Sequence, residues 1–207
     1  MDAEERGRGD LLSATISPWA ARAVVAAAAL ALVAIPALVH RGRQGEVVRS
    51  GKGIVERMLL GLVSLGFLCA LLWVATDLFR FADYPLHVAA FVPGVSCLLI
   101  GLGLLYRSHA DLGANWSISL EVRDGHRLVT RGIYQRLRHP MYLALILYGL
   151  GQALVLPNWL AGPAYLAAFI LLVACRLGPE ERLMAETFGA GYEAYRARTR
   201  RLIPGLW

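Results

Sequence analysis

At 207 residues, with 57% hydrophobic content and a mean hydropathy of +0.52, the chain is too apolar for an ordinary soluble domain. Its net charge of +6 comes from basic residues gathered between apolar runs, an arrangement set by membrane topology and not by a nucleic-acid surface. The three cysteines, Cys69, Cys97 and Cys175, lie inside apolar runs without Cys-x-x-Cys spacing, so neither a disulfide framework nor a zinc pattern is present in the sequence.

Residues 1–17 carry acidic side chains and precede a long apolar run, which suits a retained anchor better than a cleaved leader. Three runs are long enough to cross the hydrocarbon layer, Pro18–Val39, 54–76 and 86–106, since about 20 residues at a rise of about 1.5 Å span it. Two further apolar stretches, 141–156 and 159–177, are separated by Pro157-Asn158, a turn signal that predicts an antiparallel helical hairpin. The fold class expected is therefore all-α and integral to the membrane, with five transmembrane helices. Of the 21 Lys and Arg residues, five lie in 40–57, six in 107–138 and six from Arg176 onward. Five crossings put these three groups on one side, which the positive-inside rule makes cytoplasmic, with the N-terminus outside.

The polar island 107–138 ends in R-G-I-Y-Q-R-L-R-H-P-M-Y, from Arg131 to Tyr142, and Glu180-Glu181 follow the second apolar arm. A membrane chain that gathers Arg, His, Tyr and Glu at the mouth of two helices has the makings of a polar-ligand site. Arg176 and Glu180 are four apart and share a face if a helix continues through Gly178-Pro179, where a break is expected. There an Arg can neutralise a carboxylate while a Glu accepts from amino or hydroxyl groups; an interfacial ion pair with a snorkelling Arg is the plainer alternative. Glu181 could share the role of Glu180, but it points about 100° away on a helix and is expected to face solvent or cap. Pro140 suits the first position of a helix, leaving His139 as its N-terminal cap or as a ligand contact. The rings of Tyr134 and Tyr142 could face a cation. His40, His87 and His109 lack helical ligand spacing, so no metal site is expected. The tail 180–201 reads as a helix broken at Gly189 and Gly191 along the membrane surface, ended by Pro204. It turns Arg196, Arg198, Arg200 and Arg201 toward anionic headgroups and covers the pocket.

Four stretches together carry a family resemblance: D-L-G-A-N-W-S at 111–117, D-G-H-R-L-V-T-R-G-I-Y at 124–134, R-H-P-M-Y at 138–142, and E-E-R-L-M-A-E-T-F-G-A-G-Y-E-A-Y at 180–195. In order and spacing, over 101–204, the chain resembles the isoprenylcysteine carboxyl methyltransferase family of integral membrane enzymes, and within it the small prokaryotic five-helix members. The resemblance implies an N-terminal membrane part, 1–100, and a catalytic region, 101–207, with a cytoplasmic cofactor-binding loop, the helical hairpin and a C-terminal helix.

It also implies S-adenosyl-L-methionine as cofactor, held by His126, Arg127, Leu128, Val129, Tyr134, His139, Pro140, Met141, Tyr142 and Glu180. Arg176 faces the substrate in this likeness, and Ser119 stands where some members carry a cofactor-contacting polar residue. Gly101-Leu102-Gly103 resembles a glycine motif of related phospholipid methyltransferases, although small residues in a membrane helix also serve close packing. The activity implied is methyl transfer to a lipophilic or prenylated acceptor, its α-carboxylate foremost, in a prokaryotic cell membrane. The partners expected are that substrate and membrane lipids, with no nucleic acid and no obligatory protein.

Transfer from a sulfonium to a carboxylate annihilates opposite charges, so a low-dielectric site favours the transition state over the reactants. A phospholipid amine or a small thiol is the alternative acceptor. A reductase drawing on Arg123, Arg127 and Arg131 for a 2′-phosphate, or a transporter, fits the H-P-M-Y and Glu-Glu runs less well.

Overall fold

The computed structural model describes residues 12–39, 47–50, 53–113, 121–123 and 128–203. Six α-helices account for most of them: α1 (Pro18–Val39), α2 (Ile54–Ala75), α3 (Val88–Leu112), α4 (Pro140–Val155), α5 (Ala161–Phe188) and α6 (Ala190–Arg198). Four of these, α1, α2, α3 and α5, are long and apolar enough to cross a membrane, while α4, at 16 residues, is shorter. The protein is an all-α integral membrane protein with several helices of transmembrane length.

Their apolar side chains divide into two sets. Val25 of α1, Trp73 of α2, Leu98 of α3, Tyr148 of α4 and Phe169 of α5 meet in one buried core. Leu30, Val33, Leu65, Leu99, Ile100 and Ile170 remain exposed on the outside of the bundle, the pattern of helices whose outer solvent is lipid. Small residues let the backbones approach. A Cβ added to Gly101 of α3 would stand 2.9 Å from both the Ala144 carbonyl oxygen and the Tyr148 nitrogen of α4. Gly103 has open space around it, so only the first glycine of Gly101-Leu102-Gly103 is a packing residue.

Sequence expectation and structure part at several places. The helix beginning near 86 runs on to Leu112, and α5 continues through Pro179 to Phe188 without the expected break. Proline in a helix interior removes a hydrogen bond and crowds the preceding turn, at about 3 kcal/mol. Gly178 beside it has nothing within 4 Å of a would-be Cβ, and the following turn is held by side-chain pairs described below. The tail breaks once, at Gly189 with φ +52°, and Gly191 lies inside α6. A short antiparallel pair, β1 (Val47–Ser50) with β2 (Glu121–Arg123), links the segment before α2 to the segment after α3. Nothing in the hydrophobic pattern announced it.

The two ends of the bundle are built differently. At one, Asn158 is buried: its Oδ1 accepts from the Ala161 and Leu160 nitrogens at 2.8 and 3.0 Å, and its Nδ2 donates to Asp83 Oδ1 at 2.6 Å. Trp73 Nε1 donates to the same Asp83 oxygen at 2.8 Å, so this end is closed by satisfied polar contacts. The other end holds the last turn of α3, the first of α4, the last turns of α5, and α6.

Candidate functional site

The site is assembled at that second end. Asp111, in the last turn of α3, accepts from the Ile133 nitrogen at 2.8 Å, which fixes the short 3-10 turn Gly132–Gln135 against α3. Gly132 has φ +60°, and a Cβ there would lie 2.1 Å from Asp111 Oδ2, so a side chain at this position is strained and must displace the Asp111 carboxylate. The turn buries Tyr134, whose hydroxyl reaches toward the Ser108 carbonyl at 3.5 Å; burial pushes its phenol well above the ordinary tyrosine range and keeps it neutral.

Residues 136–139 then lie beside the chain's last described segment. Arg200 N donates to Arg136 O at 3.1 Å, Arg138 N to Arg200 O at 2.7 Å and His139 N to Arg201 O at 3.0 Å. Tyr195 of α6, its phenol pushed up to about 12 by burial, donates to Tyr134 O at 2.7 Å. Pro140 opens α4 at the favoured first position. His139 holds the N-cap place, but its side chain makes no capping bond. Its ring stacks on Tyr142 at 5.3 Å between centroids and 7° between planes, and its Nε2 is buried without a hydrogen-bond partner among the described residues.

Tyr142, one turn into α4, donates its hydroxyl to Glu180 Oε2 in a short hydrogen bond. Because α5 continues through Pro179, Arg176 and Glu180 do share a face, Nε to Oε2 3.6 Å. Arg176 Nη1 also stands 3.5 Å from Glu56 Oε1, at the first turn of α2. A line of side chains thus runs His139–Tyr142–Glu180–Arg176–Glu56 across three helices. Of the residues expected at the site, Tyr134, His139, Pro140, Tyr142, Glu180 and Arg176 are brought to this end, with Met141 half-buried beside them. Leu128 and Val129 are half-buried and lead into the 3-10 turn. His126, Arg127 and Ser119 lie outside the described residues.

Glu181 corrects an expectation. It does not face solvent: its side chain is 6% exposed and clamped by Arg138 Nε at 2.9 Å and Arg201 Nη2 at 2.6 Å. His139 Nε2 stands 3.5 Å from the same carboxylate, too long for a hydrogen bond. Arg201 is therefore turned inward, not toward headgroups, while Arg196 is half-exposed and pairs with Glu193 at 3.5 Å. Glu56, Asp111 and Tyr195 are also at the site without having been singled out. Asp111 opens the D-L-G-A-N-W-S stretch, whereas Glu56 sits in the N-terminal half with no local motif. Among the described residues, no group of His, Cys, Asp and Glu could hold a metal ion.

Fold and site together define a helical membrane protein with an ionisable site at one end of its bundle. Residues 94–186 match the model of the isoprenylcysteine carboxyl methyltransferase (ICMT) family. It is 28% identical over 118 residues to a probable protein-S-isoprenylcysteine O-methyltransferase of Oryza sativa subsp. indica, covering 55% of this chain and 62% of that protein. A protein-S-isoprenylcysteine O-methyltransferase of Schizosaccharomyces pombe is 29% identical over 168 residues, 76% of this chain and 70% of the other. The cobalt-zinc-cadmium resistance protein CzcN of Cupriavidus metallidurans is 36% identical over 114 residues, 54% of this chain and 52% of the other. A solved structure of the eukaryotic intramembrane Ras methyltransferase ICMT superposes with TM-score 0.49 at 22% identity, over 77% of this chain and 55% of that one. The chain thus spans 62% of the rice relative's length.

Proposed function

We propose that the protein transfers a methyl group from S-adenosylmethionine to a lipophilic acceptor at the cytoplasmic boundary of the membrane, foremost to the α-carboxylate of an isoprenylcysteine-like molecule. The observation that carries this reading is the convergence of Tyr142, Glu180 and Arg176 at the end of apolar helices, within residues 94–186. On this reading 101–207 is the catalytic region, α4 completes a fifth crossing with α5 as its antiparallel partner, and the N-terminus lies outside.

The donor set suits the cofactor. Glu180 offers a carboxylate for amino or hydroxyl groups, and the buried His139 Nε2 offers a polar atom that has no hydrogen bond among the described residues. Tyr134, Pro140, Met141 and Tyr142 supply apolar and aromatic wall, and Leu128 and Val129 complete it. S-adenosylmethionine supplies the methyl group and the positive sulfonium when bound. Arg176 holds the acceptor's carboxylate in line, and the surrounding helices exclude water that would solvate both charges. No general base is required, because a carboxylate is ionised at neutral pH.

Purified protein incubated with methyl-labelled cofactor and a farnesylated cysteine should yield a base-labile methyl ester. No label in that acceptor or in a membrane lipid extract would sink the reading. A second acceptor class, a phospholipid amine, would set its ammonium near the carboxylates of Glu56 and Glu180 that flank the Arg176 guanidinium. Base-stable label in the lipid fraction would select it over an ester or a thioether on a small thiol.

A further inference from the structure

The two acids at Arg176 are not equivalent. Glu180 lies on the same helix and is tied to Tyr142 by a short hydrogen bond, so it belongs to the cofactor side. Glu56 comes from α2, outside the family-matched region, and meets the outer nitrogen Nη1 of the guanidinium. Both partners are largely withdrawn from solvent, Arg176 at 11% and Glu56 at 12% side-chain exposure. At 3.5 Å their contact is longer than a hydrogen bond of 2.7–3.2 Å.

We propose that Glu56 competes with the acceptor's carboxylate for one face of Arg176, and so sets how tightly a charged acceptor binds relative to a neutral one. The inference rests on the methyl-transfer reading above. Without acceptor, Glu56 keeps the guanidinium aimed across the helices. On binding, the acceptor's carboxylate takes the Nη1 face, and Glu56 gives it up. An acceptor lacking that charge makes no such exchange and leaves the Glu56–Arg176 pair closed, so the competition acts on the charged acceptor alone. The repulsion between Glu56 and the incoming carboxylate weakens the correct acceptor at the same time. Removing the Glu56 charge must therefore tighten binding of a carboxylate and leave a neutral analogue alone.

The test uses the full chain in detergent, saturated with S-adenosylhomocysteine, and two probes: N-acetylated farnesylcysteine and its methyl ester. These differ only in the carboxylate. Glu56→Gln should bind the acid about three- to ten-fold tighter than the wild type, with the ester unchanged, and Glu56→Asp should stay near the wild type for both. Glu56→Ala, which removes the charge with the side chain, serves if the Gln variant folds poorly. Unchanged or weaker binding of the acid in both uncharged variants overturns the proposal, as does an equal shift of acid and ester, which would mean altered packing. Wild-type turnover is read separately. A wild type that binds the acid but transfers no methyl removes the methyl-transfer reading, and Glu56 is then no acceptor-selecting residue of that reaction.

Discussion

Arg138 Nε lies 2.9 Å from Glu181 Oε1, and this contact joins the residue before His139 to the residue after Glu180. Two short motifs 43 positions apart are thereby held in one register at the end of the bundle. The same Arg donates through Nη1 to the Thr199 and Arg196 carbonyls at 2.5 and 3.1 Å, and Arg201 closes on the other Glu181 oxygen. The C-terminal segment is therefore part of the site's frame.

Loss of Glu181 should consequently destabilise the protein and weaken the site together. Glu181→Ala leaves Arg138, with 8% of its side chain exposed, without its carboxylate, and breaking a buried pair this way costs about 3–5 kcal/mol. The thermal midpoint in detergent should fall by several degrees and cofactor affinity should fall with it. A variant that melts like the wild type would show that the clamp carries no stability.

Glu180→Ala should behave differently. Its side chain is 22% exposed, so stability should change little, whereas cofactor affinity measured by calorimetry should drop by about 1.5–3 kcal/mol, the worth of a charge-assisted hydrogen bond. Equal affinity in wild type and variant would remove Glu180 from the cofactor site.

Arg176→Ala should leave cofactor affinity nearly intact and lower turnover on a carboxylate acceptor by about 10² or more. Arg176→Lys keeps the charge but loses the planar fork, and should not restore the rate. Lost cofactor binding in Arg176→Ala would reassign the residue to the cofactor.

Two glycines offer a paired comparison. Gly132→Ala must place a Cβ 2.1 Å from Asp111 Oδ2 at positive φ, and should destabilise by more than about 1 kcal/mol. Gly103→Ala meets open space within a helix and should be neutral or slightly stabilising. Thermal midpoints of the two variants decide the matter; equal midpoints would show that the 3-10 turn tolerates a side chain.

Five crossings also require the ends of the chain to lie on opposite sides of the membrane. Reporter fusions at Asp2 and Trp207 should give opposite signals, and the same signal at both would exclude α4 as a crossing.

The sequence by itself determined where the long helices lie. Helix placement follows from runs of apolar residues long enough to replace water with lipid, a local property, so Pro18–Val39 was read to the residue. The Arg176–Glu180 relationship was legible too, because a four-residue spacing encodes its own geometry once the helix continues. That it continues through Pro179 was decided by tertiary structure. Contacts of Arg176, Glu180 and Glu181 with α2, α4 and the C-terminal segment hold a turn that local preference disfavours. Glu56 beside Arg176, Glu181 turned inward, Asp111 against Gly132 and the β1–β2 pair belong to the same class. Each depends on how far one element is rotated and shifted against another, and that is set by the sum of many small packing contacts, including Gly101 against the α4 backbone, and by no periodicity within a single segment.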